Sequence, residues 1–165
     1  MLNKIVKVKT MNIEIKAAYQ DLDEIRLLFN EYAQSLEVDL CFQDFKYELD
    51  TLPGKYAYPD GRLYLAYVND KAVGCVALRR YDENSSELKR LFIHNGYRGL
   101  GISKILIKQI INDAKEIGYQ RILLDTLNTM KPAIHLYESF GFKEIKPYYD
   151  NPLDGATYFS LDLTK

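Results

Sequence analysis

The feature that most constrains the fold is a change of hydrophobic pattern near residue 94. Before it, the apolar segments 62–68, 71–80 and 87–93 follow one another through short polar connections, which is typical of an antiparallel meander. After it, helical and strand-like patterns alternate, and two parallel strands need such a helical crossover. This order predicts an α/β (α+β) fold with a mixed, mostly antiparallel central sheet and helices on both faces.

Shorter signals predict the remaining elements. Residues 11–17 alternate like a strand, and Asp21 followed by Glu24 marks the start of a helix. A second helix is predicted over 43–52, and Pro53 and Gly54 end it. The C-terminal elements are a helix ended by Gly118, a strand at 121–127, a helix at 131–140, a strand near 142–146 and a strand at 156–163. The first of these helices has an apolar stripe of Ile102, Ile105, Leu106, Ile110, Ala114 and Ile117.

Composition excludes several classes of function. The 165 residues contain no internal repeat or linker, so we expect a single domain over 1–165. A formal net charge of −1 gives no bulk attraction to nucleic acid or to an anionic membrane. No segment has the roughly 20 apolar residues that span a bilayer or the core of a signal peptide. Cys41 and Cys75 lack disulfide or metal spacing, so we expect a cytoplasmic protein with Cys75 in its core.

The segment most informative about function is 98–104, which lies between a strand and a helix. Its two glycines allow close backbone approach, and the unpaired N–H groups of a helix N-terminus bind pyrophosphate. Arg98 and Lys104 add positive charge. A Rossmann motif would need glycine where Lys104 stands, and the Gly-Lys-Ser/Thr of a Walker loop is absent. On this segment alone, the alternative is a glycine turn that leads into an ordinary helix.

Two motifs in order resemble the GNAT acetyltransferase superfamily. Residues 98–103 resemble its Arg/Gln-x-x-Gly-x-Gly/Ala coenzyme loop, and 133–142 resemble its Ala-x-x-Leu-Tyr-x-x-x-Gly-Phe signature. Segments 39–43, 52–54 and 147–152 look like a bacterial subgroup with a Pro-Tyr-Tyr-x-Asn-Pro tail, which extends the likeness over nearly the whole chain.

The sequence departs from the family pattern at two positions. Ser103 stands where glycine or alanine is usual. Because serine is small, we expect the loop to keep its conformation and the Ser103 hydroxyl to reach the phosphate. Met130 stands where many members carry asparagine, so a coenzyme or substrate contact is lost or replaced there.

The resemblance implies an enzyme with acetyl-CoA as cosubstrate and no metal. The family's direct attack on the thioester requires a neutral amine. By motif position, Tyr137 donates a proton to the leaving thiolate; the alternative is an ordinary interfacial tyrosine. The strand backbone at 91–93 would bind the pantetheine arm and polarise the thioester carbonyl. The implied coenzyme-binding residues are Leu91, Phe92, Ile93, Arg98, Gly99, Leu100, Gly101, Ile102, Ser103 and Lys104.

The residues that would handle the acceptor follow from their places on strands and loops. Glu87, at the start of a strand, is the candidate base, directly or through water, unless it is merely solvated. Four further residues are candidates for binding the acceptor: Arg79, Arg90, Tyr148 and Tyr149. The arginines would favour an acceptor with a carboxylate. The alternatives are that Lys89 and Arg90 are surface charges and that the loop tyrosines, with Tyr56 and Tyr58, only pack the loops down.

The sequence thus predicts an N-acetyltransferase that acts on a primary amine of a small, amino-acid-like molecule. We expect no nucleic-acid or membrane partner, and a homodimer is compatible with this interpretation. His94 and His135 lack the partners of a metal site. The alternative function is a non-catalytic sensor or regulatory module that binds CoA or acetyl-CoA. Tyr137 together with a plausible base favours the enzyme.

Overall fold

The computed structural model describes residues 11–36, 39–40 and 44–165. The strands in this part of the chain are β1 (Ile13–Ala17), β2 (Arg62–Val68), β3 (Lys71–Arg80), β4 (Ser85–Ile93), β5 (Arg121–Leu127), β6 (Lys143–Ile145) and β7 (Ala156–Asp162). The helices are α1 (Leu22–Ser35), α2 (Phe45–Asp50), α3 (Ile102–Ile117) and α4 (Lys131–Ser139).

The strands form one sheet of order β1-β2-β3-β4-β5-β7-β6. Every neighbouring pair is antiparallel except β4 and β5, which are parallel. The β2–β3 hairpin turns at Asn69 and Asp70, which both have positive φ and so match the twist of the flanking strands. The parallel pair is joined by α3, as a parallel connection requires. The predicted mixed, mostly antiparallel sheet is therefore confirmed.

The sheet opens between its two parallel strands. The β4–β5 pairing covers only three positions and ends where Glu87 faces Leu123. Further along β4, Arg90 has a positive φ of 59°, and the register with β3 shifts between Cys75 and Ala77. Such a bulge turns a strand away from its neighbour. The backbone of the second half of β4 is thus left without a β5 partner, facing the gap.

Helices cover both faces of the sheet, as predicted. On one face Leu106 and Ile110 of α3 pack with Tyr137 of α4 in an apolar cluster. On the other face, Phe29 of α1 packs with strand residues that include Cys75. Cys75 is fully buried, which confirms its predicted place in the core. Cys41 lies outside the described residues.

Some local predictions need correction. Asp21 precedes α1, but its side chain makes no capping bond and instead accepts a hydrogen bond from the Tyr67 hydroxyl (2.9 Å). Helix α2 is shorter than predicted and ends at Asp50, and the following Thr51 hydroxyl donates to the Tyr47 carbonyl (2.7 Å); residue 43 lies outside the described residues. In α3 the predicted stripe residue Ile105 is exposed. The buried face of the helix instead includes Ile107, together with the predicted residues Leu106 and Ile110.

No helix in the described residues is long and apolar enough to cross a membrane.

Candidate active site

A cavity of about 540 Å³ occupies the gap between the diverging strands. Its walls are the second half of β4, the start of α3, the end of β5 and α4. All but one of the predicted coenzyme-binding residues line it: Leu91, Phe92, Ile93, Arg98, Gly99, Gly101, Ile102, Ser103 and Lys104. Leu100, by contrast, packs against the apolar core, so the structure brings the predicted set together without a Leu100 side-chain contact.

The start of α3 has the backbone that an anion site needs. Gly99 and Gly101 have φ of 81° and 79°, a left-handed conformation that glycine adopts without strain. No heavy atom lies within 4 Å of a Cβ placed at either position. The first N–H groups of α3 have no carbonyl of a preceding turn to bind. This cradle fits the pyrophosphate of a coenzyme A molecule.

Two cations flank this cradle in different ways. Arg98 donates from Nε to the carbonyl oxygen of Ile93 (3.2 Å), and its guanidinium lies 5.9 Å from the centre of the Phe92 ring. These contacts tie the loop to the end of β4. Lys104 is exposed in the first turn of α3 and lines the same cavity.

Tyr137 lies on the opposite wall of the cavity, on α4. Only 6% of the residue is exposed. Burial raises the pKa of Tyr137 above its ordinary value, so the hydroxyl keeps its proton at neutral pH. The structure thus presents a protonated donor to the cavity, and the acid role stays a prediction. Met130, which replaces the family's asparagine, lines the same wall.

A second cavity of about 250 Å³ is lined by charged residues and tyrosines: Glu48, Arg79, Tyr81, Glu87, Lys89, Arg90 and Tyr149. Lys89 and Arg90 also line the first cavity. Both are almost completely buried, with 6% and 4% of the residue exposed. The interpretation that Lys89 and Arg90 are surface charges is therefore wrong, because β4 is a central strand of a sheet that is covered on both faces and is buried along most of its length.

Glu87, the candidate base, is 1% exposed and fully hydrogen-bonded. One carboxylate oxygen accepts a hydrogen bond from Nε of Arg79 (2.8 Å) and forms an ion pair with its Nη2 (2.7 Å), and the other accepts from the Tyr148 hydroxyl (2.6 Å). Burial opposes its charge, but Lys89, Arg79 and Tyr148 outweigh burial and hold the pKa of Glu87 below its ordinary value. A carboxylate so stabilised is a weak proton acceptor, which argues against direct abstraction; its role as base stays a prediction.

The two predicted acceptor arginines each have a carboxylate partner inside the protein. Arg79 pairs with Glu87. Arg90 donates from Nε and Nη2 to the two carboxylate oxygens of Glu48 (3.0 and 3.1 Å). The Arg90 guanidinium also lies 5.7 Å and 5.3 Å from the ring centres of Tyr32 and Phe45. Arg90 therefore holds α1 and α2 against β4.

The tail loop is fastened to both diverging strands. Tyr148 bonds to Glu87 on β4, while Tyr149 donates to Asp125 on β5 (2.5 Å). Asn151 also donates to Asp125 (2.9 Å). The loop therefore bridges the gap on the side of the second cavity. For Tyr148 and Tyr149 both sequence interpretations hold in part, because they pack the loop down and Tyr149 also lines the pocket.

The remaining loop tyrosines and the two histidines have packing or surface positions. Tyr56 is buried and donates to Glu48 (2.9 Å), whereas Tyr58 is exposed and lies 5.1 Å from the Tyr19 ring. His94 Nδ1 lies 2.6 Å from a carboxylate oxygen of Glu31. His135 is on the exposed face of α4, as expected of a helix-surface residue.

Sequence reasoning missed Glu48, Asp125 and Asn151 as site residues. Glu48 is brought to Arg90 by the packing of α2, and no local spacing signals a contact between positions 42 residues apart. Asp125 lies in an apolar strand and could have been noticed as its single charge after Arg121.

The fold is the one found in solved acetyltransferases. Residues 22–142 match the Acetyltransferase (GNAT) family, and the chain belongs to it as an N-acetyltransferase. It is 40% identical over 162 residues to an uncharacterized N-acetyltransferase of Schizosaccharomyces pombe, covering 96% of this chain and 99% of that protein. The likeness is therefore not confined to bacterial proteins.

Solved structures and other relatives agree with this family. A crystal structure of an acetyltransferase from Streptococcus agalactiae superposes with a TM-score of 0.76 at 27% identity, covering 91% of this chain and 98% of that one. A Danio rerio protein named N-acetylaspartate synthetase is 31% identical over 140 residues, which is 82% of this chain but 50% of that protein.

Proposed function

We propose that this N-acetyltransferase moves the acetyl group of acetyl-CoA to the primary amine of a small, amino-acid-like molecule by direct attack on the thioester. The observation that carries the proposal is the meeting of two cavities at Lys89 and Arg90. The larger has an anion cradle at the start of α3. The smaller is lined by charged residues and tyrosines. Two reactants of different size would approach one point from opposite sides of the strands, which is the arrangement that direct transfer requires.

The coenzyme would lie along β4 with its pyrophosphate at the glycine cradle. In that position the β4 backbone at 91–93, which has no β5 partner, offers N–H groups to the pantetheine arm and to the thioester carbonyl. The GNAT family uses acetyl-CoA, and a Bacillus anthracis acetyltransferase solved in complex with acetyl coenzyme A superposes with a TM-score of 0.59 at 26% identity.

The reaction forms a nitrogen–carbon bond and breaks the carbon–sulfur bond. The amine nitrogen must be neutral before it attacks. Its proton would leave to solvent or through Glu87, directly or by way of a water, although the lowered pKa of Glu87 makes this carboxylate a weak acceptor on either path. Tyr137 would donate its hydroxyl proton to the departing sulfur and recover a proton from water.

The second cavity favours a zwitterionic or anionic acceptor over a polycation. Three cationic side chains and two carboxylates line it. The volume of about 250 Å³ suits a molecule of amino-acid size. The relatives named N-acetylaspartate synthetase support an amino acid with an additional carboxylate as the acceptor class.

Two measurements test the proposal. Acetyl-CoA should raise the melting temperature, because it binds the folded state. Thiol release from acetyl-CoA should then be fastest with amino acids among amino acids, polyamines, aminoglycosides and basic peptides. Absence of acetyl-CoA binding at millimolar concentration would overturn the coenzyme site. Binding without thiol release for any amine would favour the sensor alternative, and faster turnover of polyamines or basic peptides would overturn the acceptor class.

A further inference from the structure

We propose that Asp125 binds the protonated amine of the acceptor and holds its nitrogen beside the thioester. This inference rests on the proposed function and names the side chain that recognises the reacting nitrogen. The sequence pointed to Glu87 as the acidic group of the site and did not indicate Asp125.

The opening of the sheet places Asp125 at the gap. The pairing of β4 with β5 ends where Glu87 faces Leu123, and Asp125 follows two residues later on β5. Leu124 belongs to the apolar cluster that includes α3 and α4, so the alternation of the strand places Asp125 toward the opposite face of the sheet. Asp125 is half-buried there and lines the larger cavity.

Asp125 is also set apart by its charge. Among the described residues that line the larger cavity, it is the one that carries a carboxylate. An amine that attacks the thioester must enter this cavity, and an ammonium in a buried site needs an anionic partner. Glu48 and Glu87 line the smaller cavity, and each is paired with an arginine. Asp125 is therefore the carboxylate placed to meet the ammonium.

Two donors of the tail loop fix the orientation of the Asp125 carboxylate. The Tyr149 hydroxyl (2.5 Å) and the side-chain amide of Asn151 (2.9 Å) both donate to the same oxygen, Oδ2. Burial, and next the hydrogen bond to Asp125, raise the pKa of Tyr149, so its hydroxyl keeps its proton and remains a donor. With Oδ2 held from the side of the loop, Oδ1 is the oxygen that would accept from the ammonium.

The Asp125 carboxylate lies between the two cavities. Its partner Tyr149 lines the smaller cavity, and its partner Asn151 lines the larger one. An acceptor that occupies the smaller cavity would thus bring its nitrogen to Asp125 when it reaches the thioester. As the nitrogen–carbon bond forms, the nitrogen is positively charged until a proton leaves to water. Asp125 would face a cation in the bound substrate and again in the transition state, which favours amines over neutral nucleophiles.

The first test measures binding without turnover. Enzyme saturated with CoA is titrated by calorimetry with two pairs that differ only in the reacting group, aspartate with malate and glycine with glycolate. The preference is the Kd of the hydroxy acid divided by the Kd of the amino acid. It should exceed about tenfold in the wild type for one of the pairs and fall on the order of 10- to 100-fold in Asp125→Asn, because a hydrogen bond between two charged groups is lost. Asp125→Glu keeps the charge and should retain more of the preference than Asp125→Asn.

The wild type alone can refute the inference. Equal affinity for the amino acid and the hydroxy acid of each pair overturns it. Failure of the CoA complex to bind an amino acid that the enzyme acetylates overturns it as well.

Tyr158→Phe separates recognition of the amine from packing of the loop. The Tyr158 hydroxyl donates to the backbone carbonyl of Tyr149 (3.1 Å), so this variant loosens the same loop and leaves the Asp125 carboxylate in place. It should keep the preference. If Tyr158→Phe and Asp125→Asn both weaken the affinity for amino acid and hydroxy acid alike, Asp125 only anchors the loop and the inference is wrong.

Turnover separates this inference from the proposed function. For the amino acid that the wild type acetylates fastest, kcat/KM should fall on the order of 10- to 100-fold in Asp125→Asn. If the wild type acetylates amino acids but Asp125→Asn keeps both kcat/KM and the preference, the Asp125 assignment is wrong while the function stands. If the wild type acetylates no amino-acid amine, the proposed function fails and this inference fails with it. Thermal shift by CoA, measured on the wild type and each variant, reports whether the protein is folded and retains its coenzyme site.

Discussion

Replacing Tyr148 by phenylalanine should destabilise the protein through the loss of one buried hydrogen bond. The Tyr148 hydroxyl is the donor to one carboxylate oxygen of Glu87, at 2.6 Å, and Glu87 is 1% exposed. The ring contacts of Tyr148 with Tyr81 and Tyr158 would be kept by phenylalanine. The loss of a hydrogen bond to a buried charge costs about 1–3 kcal/mol in the free energy of unfolding.

Tyr81→Phe is the matched control. Its hydroxyl donates to the backbone carbonyl of Tyr148 at 2.9 Å, but the residue is 41% exposed. Water replaces such a bond easily, so the change in stability should be within about 0.5 kcal/mol. Urea unfolding at pH 7, followed by circular dichroism, measures both variants against the wild type.

The pH dependence gives a second, independent signature. The pKa of Glu87 is lowered in the folded protein, so its contribution to stability is present above the unfolded pKa of about 4.3 and is lost as the pH falls through the folded value. Tyr148→Phe removes one of the causes of that lowering and so raises the folded pKa of Glu87. The difference in the free energy of unfolding between wild type and Tyr148→Phe should therefore narrow as the pH falls through the folded pKa of Glu87. Equal losses for Tyr148→Phe and Tyr81→Phe at pH 7 would refute the argument.

Other predictions follow from the cavity and the core. Tyr137→Phe should lower kcat by roughly 10²–10⁴ with acetyl-CoA affinity nearly intact; unchanged turnover with chemistry rate-limiting would return Tyr137 to a packing role. Gly101→Asp should abolish the thermal shift by acetyl-CoA, because it places a negative charge at the cradle and a side chain at a residue whose φ is 79°. Gly96→Asp, at an open position without positive φ, should retain the shift. Leu106→Ala should lower the free energy of unfolding in urea by about 2–5 kcal/mol, because Leu106 is fully buried. Ile105→Ala, at an exposed position, should change the free energy of unfolding by no more than about 0.5 kcal/mol. Similar losses for both would contradict the packing of α3.

The sequence by itself determined the order of the elements and the glycine turn that begins α3. Strands 62–68, 71–80 and 121–127 have the predicted bounds. Their bounds could be predicted because the pattern of apolar residues and the turn residues that end a strand are both found in neighbouring sequence positions. The cradle at 99–101 was equally readable, since a glycine pair before an amphipathic helix encodes its own backbone conformation.

The tertiary structure alone decided how the charges of the second cavity are paired. Glu48 lies on α2 and Arg90 on β4, and only the packing of the helix on the sheet brings them to 3.0 Å. At the bulge, the neighbouring residues Lys89 and Arg90 both line the second cavity, although a two-residue alternation read from sequence would send one of the two to the opposite face. Such long-range pairings leave no periodic trace in the chain, because they depend on how separate elements dock rather than on the spacing within one element.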